Sequence, residues 1–372
     1  MKLTIERAAL LKSLNHVQSV VERRNTIPIL SNVLIDADGA AVTLKATDLD
    51  IEAVETVPAD VASPGATTVP AHMCYEIVRK FPEGAQIEME TSEDGSVLAL
   101  RTGRSHFTLQ ALGKEDFPDL AAGVLEHRFM LAAADLKRLI DKTRFAMSTE
   151  ETRYYLNGIY LHAAETDGTK VLRAVATDGH RLACVDLALP EGADGMPGII
   201  VPRKTVEQLH RLTEDIEQPV TVELSAAKIR FTFANVVLTS KLIDGTFPDY
   251  ARVIPQGNDK TLSVDSDRFA EAVDRVSTIS SERGRAVKLN LEGEKLILSV
   301  NNPDSGSASE ELEVEYSGTP LEIGFNARYL LDIAGQLDHH VARFDLADPG
   351  SPALVRDTND DAALYVLMPM RV

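Results

Sequence analysis

Residues 3–18 read LTIERAALLKSLNHVQ, residues 129–144 read FMLAAADLKRLIDKTR, and residues 262–277 read LSVDSDRFAEAVDRVS. Each begins as a short alternating strand, passes a polar or small-residue turn and continues as an amphipathic helix. The stripes are Leu10, Leu14, Val17 and Val21, then Leu136, Leu139 and Ile140, then Phe269, Val273 and Val276. Spacings of three, four and seven residues mark one buried helical face. The same opening returns three times, about a third of the chain apart, so the sequence is read as a repeat.

Further landmarks keep the order. KATDLD ends at Asp50 and AVATDGH at His180, which places Asp48 and Asp178 130 residues apart. Phe117 in DFPDL and Phe247 in TFPDY have the same separation. TVPAHMCYEIVRKFPEG, IVPRKTVEQLHRLTE and IGFNARYLLDIAGQLD each lead an apolar strand into a second helix. Alternating runs such as SVLALRTGRSHFTLQAL and IRFTFANVVLTSKL read as antiparallel hairpins. The expected fold is therefore α+β, in three modules of strand, helix, strands, helix, strands. Their expected bounds are residues 1–125, 126–253 and 254–372.

Composition agrees with a folded, multidomain chain. Its 372 residues exceed one ordinary core, and 44% are hydrophobic against 26% charged. No uncharged apolar run approaches the ~18 residues of a membrane-spanning helix. The start, MKLTIERAALLKSLNHV, lacks the apolar stretch of a signal peptide. Cys74 and Cys184 cannot build a disulfide framework or a thiolate zinc site. A cytoplasmic location without membrane attachment is the expectation.

Net charge is −19, which at face value opposes nucleic-acid binding. The charge is unevenly placed, however. Six helices expected over 6–24, 71–82, 134–147, 203–215, 266–286 and 325–340 hold 18 Lys and Arg against 14 Asp and Glu, net +4, which leaves −23 on the remainder. A face carrying Arg7, Lys12, Arg23, Arg24, Lys80, Lys137, Lys142, Arg203 and Lys204 would attract phosphates without reading bases. An ordinary solvated helix face fits the same count.

Catalytic signatures are missing. No GxxxxGK[ST], GxGxxG or GxSxG occurs, nor HxH, HExxH or EF-hand spacing. Asp178 and His180 in ATDGHRL suggest acid–base chemistry, but Thr-Asp-Gly-His more often makes a tight turn, with Gly supplying positive φ and Asp an Asx hydrogen bond. The turn is the preferred reading there, and also for the DLD of 48–50. No metal site and no cofactor are expected. At the C-terminus, ALYVLMPMRV contains Pro369, so a strand should stop near Met368. The tail is then either a peeled, adaptable methionine surface or the last core strand.

The ordered set NTIPIL, TTVPA, RYYLNGI, ATDGHRLA, VPRK, TSKLIDGTFPDY, NNP, EIGFN and YVLMPMR resembles the β subunit of bacterial DNA polymerase III, the replicative sliding clamp family, from Met1 to Val372. The resemblance implies three clamp domains per chain and a head-to-tail homodimer closing a ring around duplex DNA. Helices would line the bore and antiparallel sheets the outside. It implies a non-enzymatic processivity factor without cofactors, bound non-specifically to double-stranded DNA. Partners would be the replicative polymerase, a separate ATP-using clamp loader and other clamp-binding-motif proteins.

The resemblance also implies sites. A peptide-binding pocket would be walled by Leu156, Thr177, Gly179, His180, Arg181, Leu182, Pro248, Arg252, Val253, Tyr329, Val366, Met368, Pro369, Met370 and Arg371. Apolar peptide side chains would meet Leu182, Val253, Val366 and Met368, with Arg181 or Arg252 as polar edges. DNA contacts would be Arg24, Tyr155, Arg203 and Lys204, and the dimer seam would hold Arg104, Phe107, Leu109 and Ile279. In NNPDSGSASEELEV, serines replace a more acidic stretch of some relatives and leave Glu310 and Glu311, which implies weaker charge pairing there. A hydrolase built on Asp178 and His180, and a peptide adaptor that does not encircle DNA, are the competing readings.

Overall fold

The structure is a computed structural model and describes residues 1–120, 123–280, 286–338 and 340–371. Six helices follow the expected order: α1 (Arg7–Gln18), α2 (Ala71–Lys80), α3 (Ala133–Asp141), α4 (Arg203–Asp215), α5 (Ser266–Ser277) and α6 (Ala327–Ala334). Polar residues start several of them. The Glu6 carboxylate accepts the Ala9 N–H at 3.0 Å, Asp265 that of Arg268 at 2.9 Å, and Asn326 that of Arg328 at 2.9 Å. These bonds satisfy donors that a helix start leaves orphaned.

Most helices stop earlier than their apolar periodicity suggests. Pro82 forces Phe81 into extended backbone with ψ 153°, so α2 cannot reach residue 82. Gly335 caps α6, while Phe325 and Asn326 belong to the preceding strand, Leu321–Asn326. Residues 144–146 turn as a separate 3-10 segment after α3. Of the long helix expected over 266–286, the described part ends at Ser277, and 281–285 lie outside the described residues.

The chain forms two compact units, one of residues 1–137, 190–197 and 204–242, the other of residues 138–189, 198–203 and 243–372. The first holds a five-stranded and an eight-stranded antiparallel sheet, the second a nine-stranded and a four-stranded one. Two units arise from three repeats because neighbouring repeats share continuous sheets. In the first unit Val236–Lys241 pairs antiparallel with Ile51–Pro58. In the second, Asp360–Leu367 pairs with Arg181–Ala188 in the same way.

Two of the sheet edges are singled out by the repeat. Ser105–Gln110 is one edge strand of the five-stranded sheet, opposite Asp60–Ser63, and Gly306–Glu313 one edge strand of the four-stranded sheet, opposite Leu321–Asn326. By repeat position they correspond to the strands that pair internally at the two shared sheets. The hairpins Val97–Thr102 with Ser105–Gln110 and Lys228–Phe233 with Val236–Lys241 form as the alternation predicts. Leu10, Leu14 and Val17 of α1, and Phe269, Val273 and Val276 of α5, are buried.

Candidate functional site

The turn Thr177–Arg181 is a hydrogen-bonded frame. The Thr177 hydroxyl donates to the Arg181 carbonyl at 2.6 Å and accepts the Gly179 N–H at 3.0 Å. Asp178 Oδ1 accepts the N–H groups of His180 and Arg181 at 2.9 and 3.1 Å. Gly179 sits at φ +89°, where a side chain is strained and a Cβ would come 2.5 Å from Arg153 Nη1. Asp178 is thus engaged by its own backbone, and the exposed His180 ring faces Tyr329, with centroids 6.4 Å apart. The Asp178–His180 pairing expected of an acid–base dyad is absent from this turn.

Arg181 corrects one expectation. Its guanidinium is buried, donating to Asp178 at 3.1 Å, Asp332 at 2.5 Å and the Phe145 carbonyl at 2.7 Å. It also lies 4.2 Å from the Tyr329 ring centroid and 5.1 Å from that of Phe145. A cation so enclosed braces the turn against α6 and has no polar edge to offer a ligand. Arg252 differs: its side chain is 83% exposed and pairs with Asp249 at 2.7 Å.

Beside this turn lies an apolar cluster of Leu156, Val175, Leu182, Cys184, Ile200, Phe247, Leu354 and Val366. Leu182 and Val366 are directly paired across the shared sheet. Above it the exposed side chains are Val253 (47%), Met368 (40%), Pro248 and Arg252. The segment carrying Pro248, Arg252 and Val253 is anchored from beneath. Phe247 stacks on Tyr160 at 4.8 Å, and the Tyr250 hydroxyl meets His162 at 2.9 Å and Arg173 at 3.3 Å. The geometry is a buried apolar floor beside exposed side chains, an arrangement that can accept apolar groups.

The tail forms another side. The strand ends at Leu367, one residue before the expected stop, since Pro369 has no N–H for the ladder. The two alternatives for the tail are both partly realised. Tyr365, Val366 and Leu367 are core residues, and Met368 is outside. Met368 donates to the His180 carbonyl at 2.9 Å and Met370 to that of Gly324 at 2.7 Å. Pro369 and Met370 are half-buried, Arg371 is exposed, and Val372 lies outside the described residues.

The remaining expected residues fall as follows. Arg24 is exposed. Arg203 donates to the carbonyls of Met147 and Ser148, and Lys204 is bound by Glu22 and Asp48. Burial alone would lower the Lys204 pKa, but its two carboxylate partners outweigh this and raise it. Tyr155 packs against the apolar cluster, and its neighbour Tyr154 is the exposed ring. Arg7 and Lys142 of the expected basic face are likewise spent on backbone carbonyls, whereas Lys12, Arg23, Arg24 and Lys80 are exposed.

At the two sheet edges, Arg104 is exposed and Phe107 is 42% exposed, edge-on to Phe81 at 5.5 Å. Leu109 differs from its expected role, because at 3% exposure it belongs to the protomer's own core. Ile279 is half-buried. Glu310 is held by Arg275 at 2.7 Å, which lowers its pKa, and Glu311 by Lys295 at 2.9 Å. Two of the three carboxylates in the serine-rich strand, Glu310 and Glu311, are therefore paired inside the chain.

Asp332, Phe145, Val175 and Phe247 were missed as parts of this site. A basic residue on a core strand demands an acidic partner, and Asp332, one turn beyond Tyr329 on α6, was the available signal for one of them.

The fold is a repeat-built scaffold whose site is a buried apolar floor, and among the described residues no group of three or more His, Cys, Asp or Glu is placed to hold a metal ion. The DNA polymerase III beta subunit family matches the chain three times, as N-terminal domain over 1–121, central domain over 130–249 and C-terminal domain over 251–371. The chain belongs to that family. It is 55% identical to the beta sliding clamp of Caulobacter vibrioides and 40% to that of Escherichia coli, each over the whole of both chains. It is also similar to solved structures: a DnaN sliding clamp from Bartonella birtlesii bound to griselimycin (56% identity, TM-score 0.97) and a DNA polymerase sliding clamp from Caulobacter crescentus (55%, 0.94), each covering both chains fully. The chain is accordingly a non-enzymatic processivity factor of DNA polymerase III, a ring-shaped homodimer on duplex DNA that binds polymerase and other clamp-binding proteins. No helix among the described residues is long and apolar enough to cross a membrane.

Proposed function

We propose that clamp-binding peptides dock on the Leu156, Leu182 and Val366 floor. The walls are Thr177, Gly179, His180, Tyr329, Pro248, Val253 and the tail Met368–Arg371, and Arg252 is the polar edge. The carrying observation is the buried apolar floor beneath an exposed rim, within one compact unit. Griselimycin, bound by the Bartonella relative, is proposed to occupy the same cleft here. Competition between griselimycin and a polymerase-tail peptide tests this. Mutual displacement is expected, and simultaneous binding of both would contradict it.

The same proposal extends to the ring. Ser105–Gln110 of one protomer pairs with Gly306–Glu313 of the other, because these unpaired edges repeat the two strand pairs already closed inside each chain. Phe107, Arg104 and Ile279 sit at this seam. Arg24 and Lys204 of the first unit, and Tyr155 and Arg203 of the second, are the proposed DNA contacts, with Arg24 the most exposed cation among them. Domain bounds of 1–125, 126–253 and 254–372 and a cytoplasmic location complete the reading.

A further inference from the structure

The first compact unit contains a second copy of the cleft's frame, with its lining reversed in polarity. Thr47 donates its hydroxyl to the Ile51 carbonyl at 2.9 Å and accepts the Leu49 N–H at 3.0 Å, as Thr177 does with Arg181 and Gly179. Asp48 Oδ1 accepts the N–H groups of Asp50 and Ile51 at 2.9 and 2.8 Å, as Asp178 does those of His180 and Arg181. Lys241 donates its N–H to the Asp50 carbonyl at 2.8 Å, as Met368 does to that of His180.

Strand register then fixes which lining residues correspond. Thr47 lies opposite Glu52 and Glu52 opposite Thr239; Thr177 lies opposite Leu182 and Leu182 opposite Val366. Lys45 pairs with Val54 as Val175 pairs with Cys184. Where the cleft has Val175, Leu182, Val366 and Met368, this copy has Lys45, Glu52, Thr239 and Lys241. The floor is an ion pair, Lys45 Nζ to Glu52 Oε2 at 3.0 Å, with little solvent access to either side chain. Glu52 also accepts the Leu120 N–H at 3.0 Å, Lys45 reaches Asp119 at 2.6 Å, and Lys241 pairs with Asp50 at 2.9 Å.

We infer that the Lys45–Glu52 ion pair is the specificity determinant that closes this second cleft to apolar peptides, so that each chain takes one peptide instead of two. The inference rests on the cleft proposed above. An apolar side chain laid on this floor would strip water from a charged pair and return no hydrogen bond. Such desolvation outweighs the gain from burying the ligand. Replacing a buried ion pair by apolar residues of similar volume is commonly tolerated, which makes the inference testable by gain of function.

The full-length chain carrying Lys45→Val, Glu52→Leu, Thr239→Val and Lys241→Met is titrated calorimetrically with a polymerase-tail peptide. The parent chain should bind one peptide and the variant two. With residues 368–372 also removed, the variant should keep one site while the truncated parent loses at least tenfold in affinity. If the fourfold variant does not fold, Lys45→Val with Glu52→Leu in the truncated background should still bind at least tenfold tighter than the truncated parent. A folded variant that stays at one peptide overturns the inference. Parent binding that truncation leaves unchanged would instead overturn the cleft assignment itself.

Discussion

Met368 donates its backbone N–H to the carbonyl oxygen of His180 at 2.9 Å, which ties the departing tail to the turn that carries Thr177 and Gly179. Two walls of the proposed cleft thus hold one another, and the Met370 bond to Gly324 fixes the tail at a second point. Removing residues 368–372 should weaken a polymerase-tail peptide at least tenfold, about 1.4 kcal/mol, and leave the dimer intact. Calorimetric titration with a parallel mass measurement in solution checks both halves.

Arg181 and Arg252 should separate cleanly on mutation. Arg181→Ala removes the nearest cation from Asp178 and Asp332 and should cost about 3 kcal/mol of stability, the low end for a buried pair because Asp332 keeps some solvent contact and the Arg328 pair at 3.9 Å. Arg252→Ala should leave stability within about 0.5 kcal/mol and change peptide affinity instead. Denaturant unfolding and peptide titration of each variant distinguish bracing from ligand contact. An Arg181 variant as stable as the parent would contradict the bracing role.

Phe107 and Leu109 share a face of the same edge strand but have different fates. Phe107→Ala should leave the fold largely intact and weaken dimerisation. Loss of one large apolar contact is worth ~1.5–3 kcal/mol, and two identical seams double it, so the dissociation constant should rise on the order of a hundredfold or more. Leu109→Ala should instead cost ~2–4 kcal/mol of folding stability through the cavity it leaves. Sedimentation of both variants across a concentration series, alongside thermal melting, shows which property each one changes.

Burial pushes the Cys74 and Cys184 thiols up to about 12. The native protein should therefore resist thiol reagents at pH 8 and react fully once unfolded. The linkage has one sign. The contribution is fully present below the unfolded-state thiol pKa, and stability falls as pH rises from about 9 toward 12, because the unfolded thiols ionise first. Chemical unfolding at pH 8 and pH 10 should show the loss. Rapid labelling of the folded chain at pH 8 would contradict it.

The repeat was legible because helix stripes and turn motifs are local patterns. LTIERAALLKSLNHVQ and its two counterparts foretold α1, α3 and α5, and Thr-Asp-Gly-His foretold the Asx-bonded turn now seen at Asp178. Helix ends were less legible, except where Pro82 and Gly335 stop α2 and α6, since a buried stripe can continue into irregular chain, as at Val20 and Val21. Charge counting could not show which cations are already paired. Arg203 and Lys204 read as basic helix starts but bind Met147, Ser148, Glu22 and Asp48, contacts that depend on long-range packing. Leu109 was misjudged for the same reason. Alternation assigns a face, but it does not tell whether that face is covered by the chain itself or by a partner.

Encirclement is the central claim, and retention on circular DNA tests it most directly. Protein loaded onto nicked circular duplex should stay bound through a high-salt wash and be released when the circle is cut once with a restriction enzyme, because only topology holds it. Binding to a short linear duplex should be weak and fall steeply with salt, as counterion release requires. Equal salt sensitivity on circular and linear DNA, or retention that survives linearisation with free ends, would contradict the account.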